Sequence, residues 1–218
     1  MKVAPSLLAA DFAHLADDVA RVAPECDLLH VDCMDGHYVP NLSIGPPVVA
    51  SLRPNTDLFL DCHLMVDNPG VLLEAFAAAG ADGCTVHVEL GDPTPLLDEI
   101  RALGMRPGLT FEPATPFEAV EPYLDQIGLL LVMSVKTGFG GQAFIPEVLD
   151  KVRAARRVID ERGLSVEIEI DGGIKIDNAH LAGAAGVDIL VSGTGVFGQA
   201  DPAQAVREIR EAAEVGAA

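Results

Sequence analysis

The chain has 218 residues, half of them hydrophobic, and no run approaches the roughly 18 apolar residues that a membrane span requires. Its formal charge of −19, with no basic patch, excludes nucleic acid as a partner, because a polyanion needs positive charge to meet it. Cys26, Cys33, Cys62 and Cys84 form no C-x-x-C pair, so they read as reduced, buried thiols rather than a zinc finger or a redox motif. The first residues lack the charged segment and long apolar stretch of a signal peptide, so a cytoplasmic location is expected.

Short apolar, β-branched runs alternate with amphipathic stretches along the whole chain. The runs predict strands at 3–7, 28–33, 58–64, 83–88, 106–111, 129–135, 166–170 and 189–192. The stretches between predict helices near 13–23, 45–53, 69–79, 94–103, 116–124, 146–162, 177–184 and 201–214. In the sixth helix Val148, Val152, Ala155 and Ile159 share one stripe, Pro146 suits the first turn and Gly163 suits the stop. The helices near 69–79 and 177–184 end alike, in Ala79-Gly80-Ala81-Asp82 and Ala185-Gly186-Val187-Asp188. Eight β-α units with strands too apolar to face water imply a single-domain (β/α)8 barrel over residues 1–218. A doubly wound open sheet fits less well, since no G-x-G-x-x-G follows the first strand.

Polar residues interrupt the strand ends. His30 and Asp32 are two apart in strand two, as are Asp61 and His63 in strand three, so each pair projects from one face. Such a pair is a satisfied internal hydrogen bond, a metal site or an acid/base site. His87 lies in strand four, Ser6 at the end of strand one and Asp171 after strand seven. Two imidazoles and two carboxylates could together hold a divalent transition metal with open positions. Glycines cluster after strands six, seven and eight, at Gly138-Phe139-Gly140-Gly141, Gly172-Gly173 and Gly193-Thr194-Gly195. Glycine lets successive N–H groups converge on an anion, so these clusters suggest a phosphate cradle. Met34, Met65 and Met133 are gap-fillers in the core or a soft lining that keeps water from the reacting carbon.

The segments Ser6-Leu7-Leu8-Ala9-Ala10-Asp11-Phe12, His30-Val31-Asp32-Cys33-Met34-Asp35-Gly36-His37-Tyr38-Val39-Pro40-Asn41 and Asp61-Cys62-His63-Leu64-Met65-Val66 resemble ribulose-phosphate 3-epimerases. So do Gly138-Phe139-Gly140-Gly141-Gln142, Asp171-Gly172-Gly173-Ile174 and Ser192-Gly193-Thr194-Gly195-Val196-Phe197. The resemblance implies a TIM barrel of the ribulose-phosphate-binding type and an isomerase of the pentose phosphate pathway. It would interconvert D-ribulose 5-phosphate and D-xylulose 5-phosphate. It also implies that His30, Asp32, His63 and Asp171 bind one divalent metal ion, Zn2+ or Fe2+ first, with Mn2+ or Co2+ also accepted. Asp32 and Asp171 would be acid and base. Ser6 and His63 would touch the sugar oxygens, with Asp171 also against substrate. Gly138, Phe139, Gly140, Gly141, Gly172, Gly173, Gly193 and Thr194 would hold the phosphate. Proteins similar to this one form dimers and hexamers, so a homo-oligomer is expected.

The chain departs from the commonest pattern of these proteins. Lys136-Thr137 stands where Asn-Pro is usual, and Glu112 stands where strand five usually ends in asparagine. Glu112 and Lys136 on neighbouring strands are expected to pair. The departures leave room for a related ketose such as D-allulose 6-phosphate. Decarboxylases on the same barrel look for Asp-x-Lys-x-x-Asp on strand three, and Asp61-Cys62-His63-Leu64-Met65-Val66 lacks its lysine and second aspartate. A phosphosugar-binding protein without turnover would be expected to lose Asp32 or Asp171, and both are present.

Overall fold

A strand with large apolar groups on one face and small or polar groups on the other suits a barrel wall, helices outside and a narrow interior inside. The computed structural model describes residues 1–217. Its strands are β1 (Lys2–Pro5), β2 (Leu28–Met34), β3 (Phe59–Met65), β4 (Gly83–His87), β5 (Arg106–Phe111), β6 (Leu129–Met133), β7 (Glu167–Asp171) and β8 (Ile189–Ser192). They form one parallel sheet in the order β1-β8-β7-β6-β5-β4-β3-β2, and a parallel bridge between Ser6 and His30 joins its two edges. This is the (β/α)8 barrel that the alternation of elements predicts.

Among the described residues seven helices surround the strands: α1 (Leu15–Val22), α2 (Pro46–Leu52), α3 (Gly70–Ala79), α4 (Thr94–Ala102), α5 (Leu149–Arg162), α6 (Ala179–Ala185) and α7 (Pro202–Ala217). The eighth expected helix, at 116–124, is instead two 3-10 segments, Phe117–Ala119 and Glu121–Gln126. Pro122 lacks the N–H that an α-helix needs there, and its ring would strike the carbonyl four residues back. At α5 the first predicted turn, Pro146–Val148, is likewise 3-10. Gly80 and Gly186 end α3 and α6 in the left-handed conformation, with φ of 90° and 96°. No helix among the described residues is long and apolar enough to cross a membrane.

The outer faces of the strands carry the apolar core, including Val31, Leu60, Leu64, Val86, Leu109, Leu130, Ile168 and Leu190 against the helices. All four cysteines are free and buried in this same layer. Inside the barrel, Ala4, Leu28, Leu129, Ile189 and Val191 pack with Phe59 as an apolar floor. Above that floor the interior turns polar: His30, Asp32, Asp61, His63, Thr85, His87, Thr110 and Glu169 are all buried.

The N-terminal mouth is closed by paired charges. Glu167 binds Lys2 and Arg106, each at 2.7 Å. One device recurs three times. Asp27, Asp82 and Asp188 each accept a backbone N–H, from Val3 (3.0 Å), Leu60 (2.9 Å) and Ile168 (2.7 Å). Each also binds an arginine, Arg210, Arg53 and Arg156 respectively. The acid that starts one strand thus pins the start of its neighbour, and the likeness of the two Ala-Gly-x-Asp segments has this physical cause.

Candidate active site

The polar residues converge because every odd polar strand position faces inward and the C-terminal ends meet at one mouth. Register fixes their heights: His30 lies beside Asp61 and Asp32 beside His63, while Met133 lies beside Asp171 across β6 and β7. His30, Asp32, His63 and Asp171 each place a ligand atom within 4.8 Å of the others. Asp32 Oδ1 sits 3.5 Å from His30 Nε2 and 3.4 Å from His63 Nδ1. Those two imidazole nitrogens are buried and make no hydrogen bond among the described residues.

This arrangement fits a cation. A metal with ligands at about 2.1 Å holds tetrahedral neighbours about 3.4 Å apart, too far for direct hydrogen bonds. The opposite ring nitrogens are held from behind. His30 Nδ1 lies 2.9 Å from Asp61 Oδ2. His63 Nε2 lies 2.8 Å from His87 Nε2, whose Nδ1 lies 3.3 Å from Glu89 Oε2. Such partners orient metal-binding imidazoles. Asp61 and His87 were legible as inward-facing strand positions. Glu169, beneath Asp171 in β7, could have been found by the same count of two, whereas Glu89 lies in the 3-10 segment Val88–Leu90, beyond the reach of strand periodicity.

The two aspartates differ in charge. Burial alone would raise the pKa of Asp32, but the positive charge of His30, with His63 beside it, holds it far below the usual carboxylate range. Ser6 Oγ donates to its other oxygen at 2.6 Å. Burial and then the charge of Asp32 push Asp171 up to about 7. Burial and then the charge of Asp61 push Glu169 up to about 8. Burial lowers His63 to about 4. Burial would also lower His30, yet the charges of Asp32 and Glu169 raise it well above its ordinary value.

Above this cluster opens a cavity of about 380 Å³, lined by Ser6, Asp32, Asp171, the methionines Met34, Met65 and Met133, and all three glycine clusters with Phe139 and Thr194. His30 and His63 lie beneath its floor, fully buried. The backbone N–H groups of Gly140, Gly141, Gly173 and Thr194 bond no partner among the described residues. Gly173 must be glycine: its φ is 69°, and a Cβ would meet the backbone N of Phe144 at 2.6 Å. The loops are braced from several sides. Asn41 Nδ2 donates to the Gly138 carbonyl at 2.9 Å, and Asn178 Nδ2 to the Gly173 carbonyl at 2.9 Å. Ser134 Oγ donates to the carbonyls of Asp171 (2.8 Å) and Gly172 (2.7 Å).

Comparison with known proteins decides the family. The model of the ribulose-phosphate 3 epimerase family matches residues 2–197. A ribulose-phosphate 3-epimerase of Mycobacterium bovis is 53% identical over 215 residues, 97% of this chain and 92% of that protein. That of Escherichia coli K12 is 45% identical over 211 residues, 95% of this chain and 94% of its own. The chain belongs to the ribulose-phosphate 3-epimerase family. It is an enzyme of the isomerase class, an epimerase on a TIM barrel. More distant structures share the fold alone. KGPDC from Streptococcus mutans in complex with D-R5P has a TM-score of 0.74 at 16% identity, covering 98% of this chain and 97% of that one. A 3-hexulose-6-phosphate synthase has a TM-score of 0.71 at 20% identity, covering 97% and 99%.

One expected contact of this epimerase is absent. Among the described residues Glu112 and Lys136 form no ion pair. The Glu112 carboxylate instead accepts from the hydroxyl of Thr137 and, at 3.4 Å, from its N–H. Lys136 is exposed. Adjacent residues after β6 point to opposite sides, and it is the buried threonine that faces β5.

Proposed function

We propose that the protein inverts C3 of a ketose phosphate, interconverting D-ribulose 5-phosphate and D-xylulose 5-phosphate, with Asp32 and Asp171 as base and acid. The observation that carries this reading is geometric: two carboxylates, Asp32 and Asp171, stand at the ends of β2 and β7, beside two imidazoles and lining one cavity. Epimerisation takes a proton from one face of C3 and returns one to the other. Two carboxylates from strands three steps apart around the barrel can address opposite faces of a planar enediolate. The neutral N–H groups after β6, β7 and β8 suit a phosphate dianion in a chain of charge −19, where a cluster of lysines is lacking. The D-R5P bound by the Streptococcus mutans protein is in keeping with a phosphosugar here.

His30, Asp32, His63 and Asp171 would hold one divalent cation, which two imidazoles and two carboxylates suit as Zn2+ or Fe2+. When bound, it supplies positive charge for the developing enediolate oxygens. Ser6 fixes one oxygen of Asp32, so the other can face the metal ligands. Met34, Met65 and Met133 exclude water from the carbanionic carbon. A homo-oligomer is proposed from the resemblance to ribulose-phosphate 3-epimerases, and Leu42, Val71 and Val215 are among the large exposed apolar side chains.

Incubation with ribulose 5-phosphate in D2O, followed at C3 by NMR, tests the reading. Deuterium is expected at C3, and a chelator is expected to stop its entry. No deuterium at C3 with divalent metal supplied would refute the reading. A parallel incubation with allulose 6-phosphate decides the sugar: faster exchange there assigns the enzyme to the longer ketose.

A further inference from the structure

The turn after β5 is held with unusual thoroughness for a segment that contacts no catalytic group. Glu89 Oε1 accepts the N–H of Glu112 at 2.8 Å and the hydroxyl of Thr115. Lys151 Nζ donates to the carbonyls of Pro113 and Thr115, each at 2.6 Å, and its ammonium lies 5.2 Å from the centre of the Phe111 ring. The turn is therefore a rigid platform, and the Glu112 side chain extends from it toward β6. There it meets both donors of Thr137, the residue directly before Gly138. Thr137 is largely buried, so its hydroxyl depends on this acceptor more than an exposed one would.

From this we infer that Glu112 and Thr137 are positioning residues that set the root of the Gly138-Phe139-Gly140-Gly141 loop for phosphate binding. The reasoning rests on the ketose-phosphate reading above. Neutral N–H groups bind a dianion only where several converge, so a loop shifted by a fraction of an ångström loses much of their effect. Gly138 has a φ of 120° and Gly141 one of 75°, so the loop has wide conformational freedom of its own. Asn41 restrains it through the Gly138 carbonyl, and Gln142 through those of Lys136 (2.6 Å) and Phe139 (2.8 Å). The Glu112 clasp restrains its first turn from the segment that follows β5. It also ties the phosphate side to the metal side, since the same Glu89 holds His87 behind His63.

The test compares Thr137→Val, Thr137→Ser, Glu112→Ala and the Glu112→Ala/Thr137→Val double variant with the wild type. KM and kcat are measured with ribulose 5-phosphate, and the dissociation constant of inorganic phosphate by calorimetry. Thr137→Val should raise KM and the phosphate dissociation constant roughly tenfold, as expected for losing a hydrogen bond to a charged group, with kcat little changed. Thr137→Ser keeps the hydroxyl and should stay near wild type. The double variant should be no worse than the worse single one, because both remove one contact. An unchanged phosphate constant in a folded Thr137→Val protein would overturn the inference. So would a fall in kcat alone, or additive losses. A wild type inactive on both ribulose 5-phosphate and allulose 6-phosphate would sink the ketose-phosphate reading instead, and the phosphate titrations would still judge the clasp.

Discussion

The two mouths of this barrel use the same residue types in opposite ways. At the N-terminal mouth Glu167 binds two cations, and Asp27, Asp82 and Asp188 each bind an arginine and a strand N–H. At the C-terminal mouth Asp32 and Asp171 share a site with two imidazole nitrogens that bond no partner among the described residues. Burying polar groups without partners costs free energy. Below, the acids are paired with cations and strand N–H groups; above, His30 Nε2 and His63 Nδ1 are left without partners among the described residues, where a ligand can complete them. Position in the barrel and the pairing around them, rather than residue type, separate the acids that hold the fold from those proposed to act.

The comparison is broken most severely by Asp171→Asn. It should lower epimerisation by about a thousandfold, because one face of the enediolate loses its proton carrier. The same change should raise the melting temperature of chelator-treated protein near pH 8, since it removes a charge that Asp32 and burial oppose. A variant that is both inactive and destabilised there would contradict the division between the mouths. His87→Phe keeps a ring against His63 but removes its hydrogen-bond partner, and should weaken metal affinity about 10–100-fold, measured by competition with a fluorescent chelator.

At the other mouth, Asp188→Ala removes the acceptor for the Ile168 N–H and for Arg156. It should cost about 1–2 kcal/mol, or roughly 2–8 °C in melting temperature, with kcat/KM of the folded protein unchanged. The smallest effect concerns pH. Asp171 and Glu169 have folded pKa values raised to about 7 and about 8, so the folded state holds protons that the unfolded state lacks. Stability gained in this way is lost as pH rises through those values. His30, also raised, acts in the same direction, while His63, lowered to about 4, acts only below its ordinary 6.5. Chelator-treated protein should therefore lose on the order of a few degrees of melting temperature between about pH 6.5 and 8.5. Metal-loaded protein should lose less, because the cation replaces the missing protons. Equal slopes with and without chelator would argue against a cation among these groups.

Much of the site was legible because strand periodicity is simple: His30 and Asp32, then Asp61 and His63, share a face by counting twos. Counting could not show that Asp61 serves His30 rather than the cavity, because that depends on β2–β3 register. Nor could it show the His63–His87–Glu89 chain, which runs across two strands. The Glu112–Lys136 pair failed for a related reason. Opposite charges on neighbouring strands attract only if both side chains lie on the same side, and Thr137, not Lys136, faces Glu112. The missing helix at 116–124 was readable in Pro122, whose local effect outweighed the apolar pattern.

By itself the sequence determined the alternation of strand and helix, the inward-facing acids and imidazoles, and the glycines where backbone approaches backbone, because these follow from local geometry. The tertiary structure alone decided which polar groups are satisfied. A hydrogen bond between strands depends on register and closure, and only the closed barrel leaves His30 Nε2 and His63 Nδ1 without partners beside Asp32.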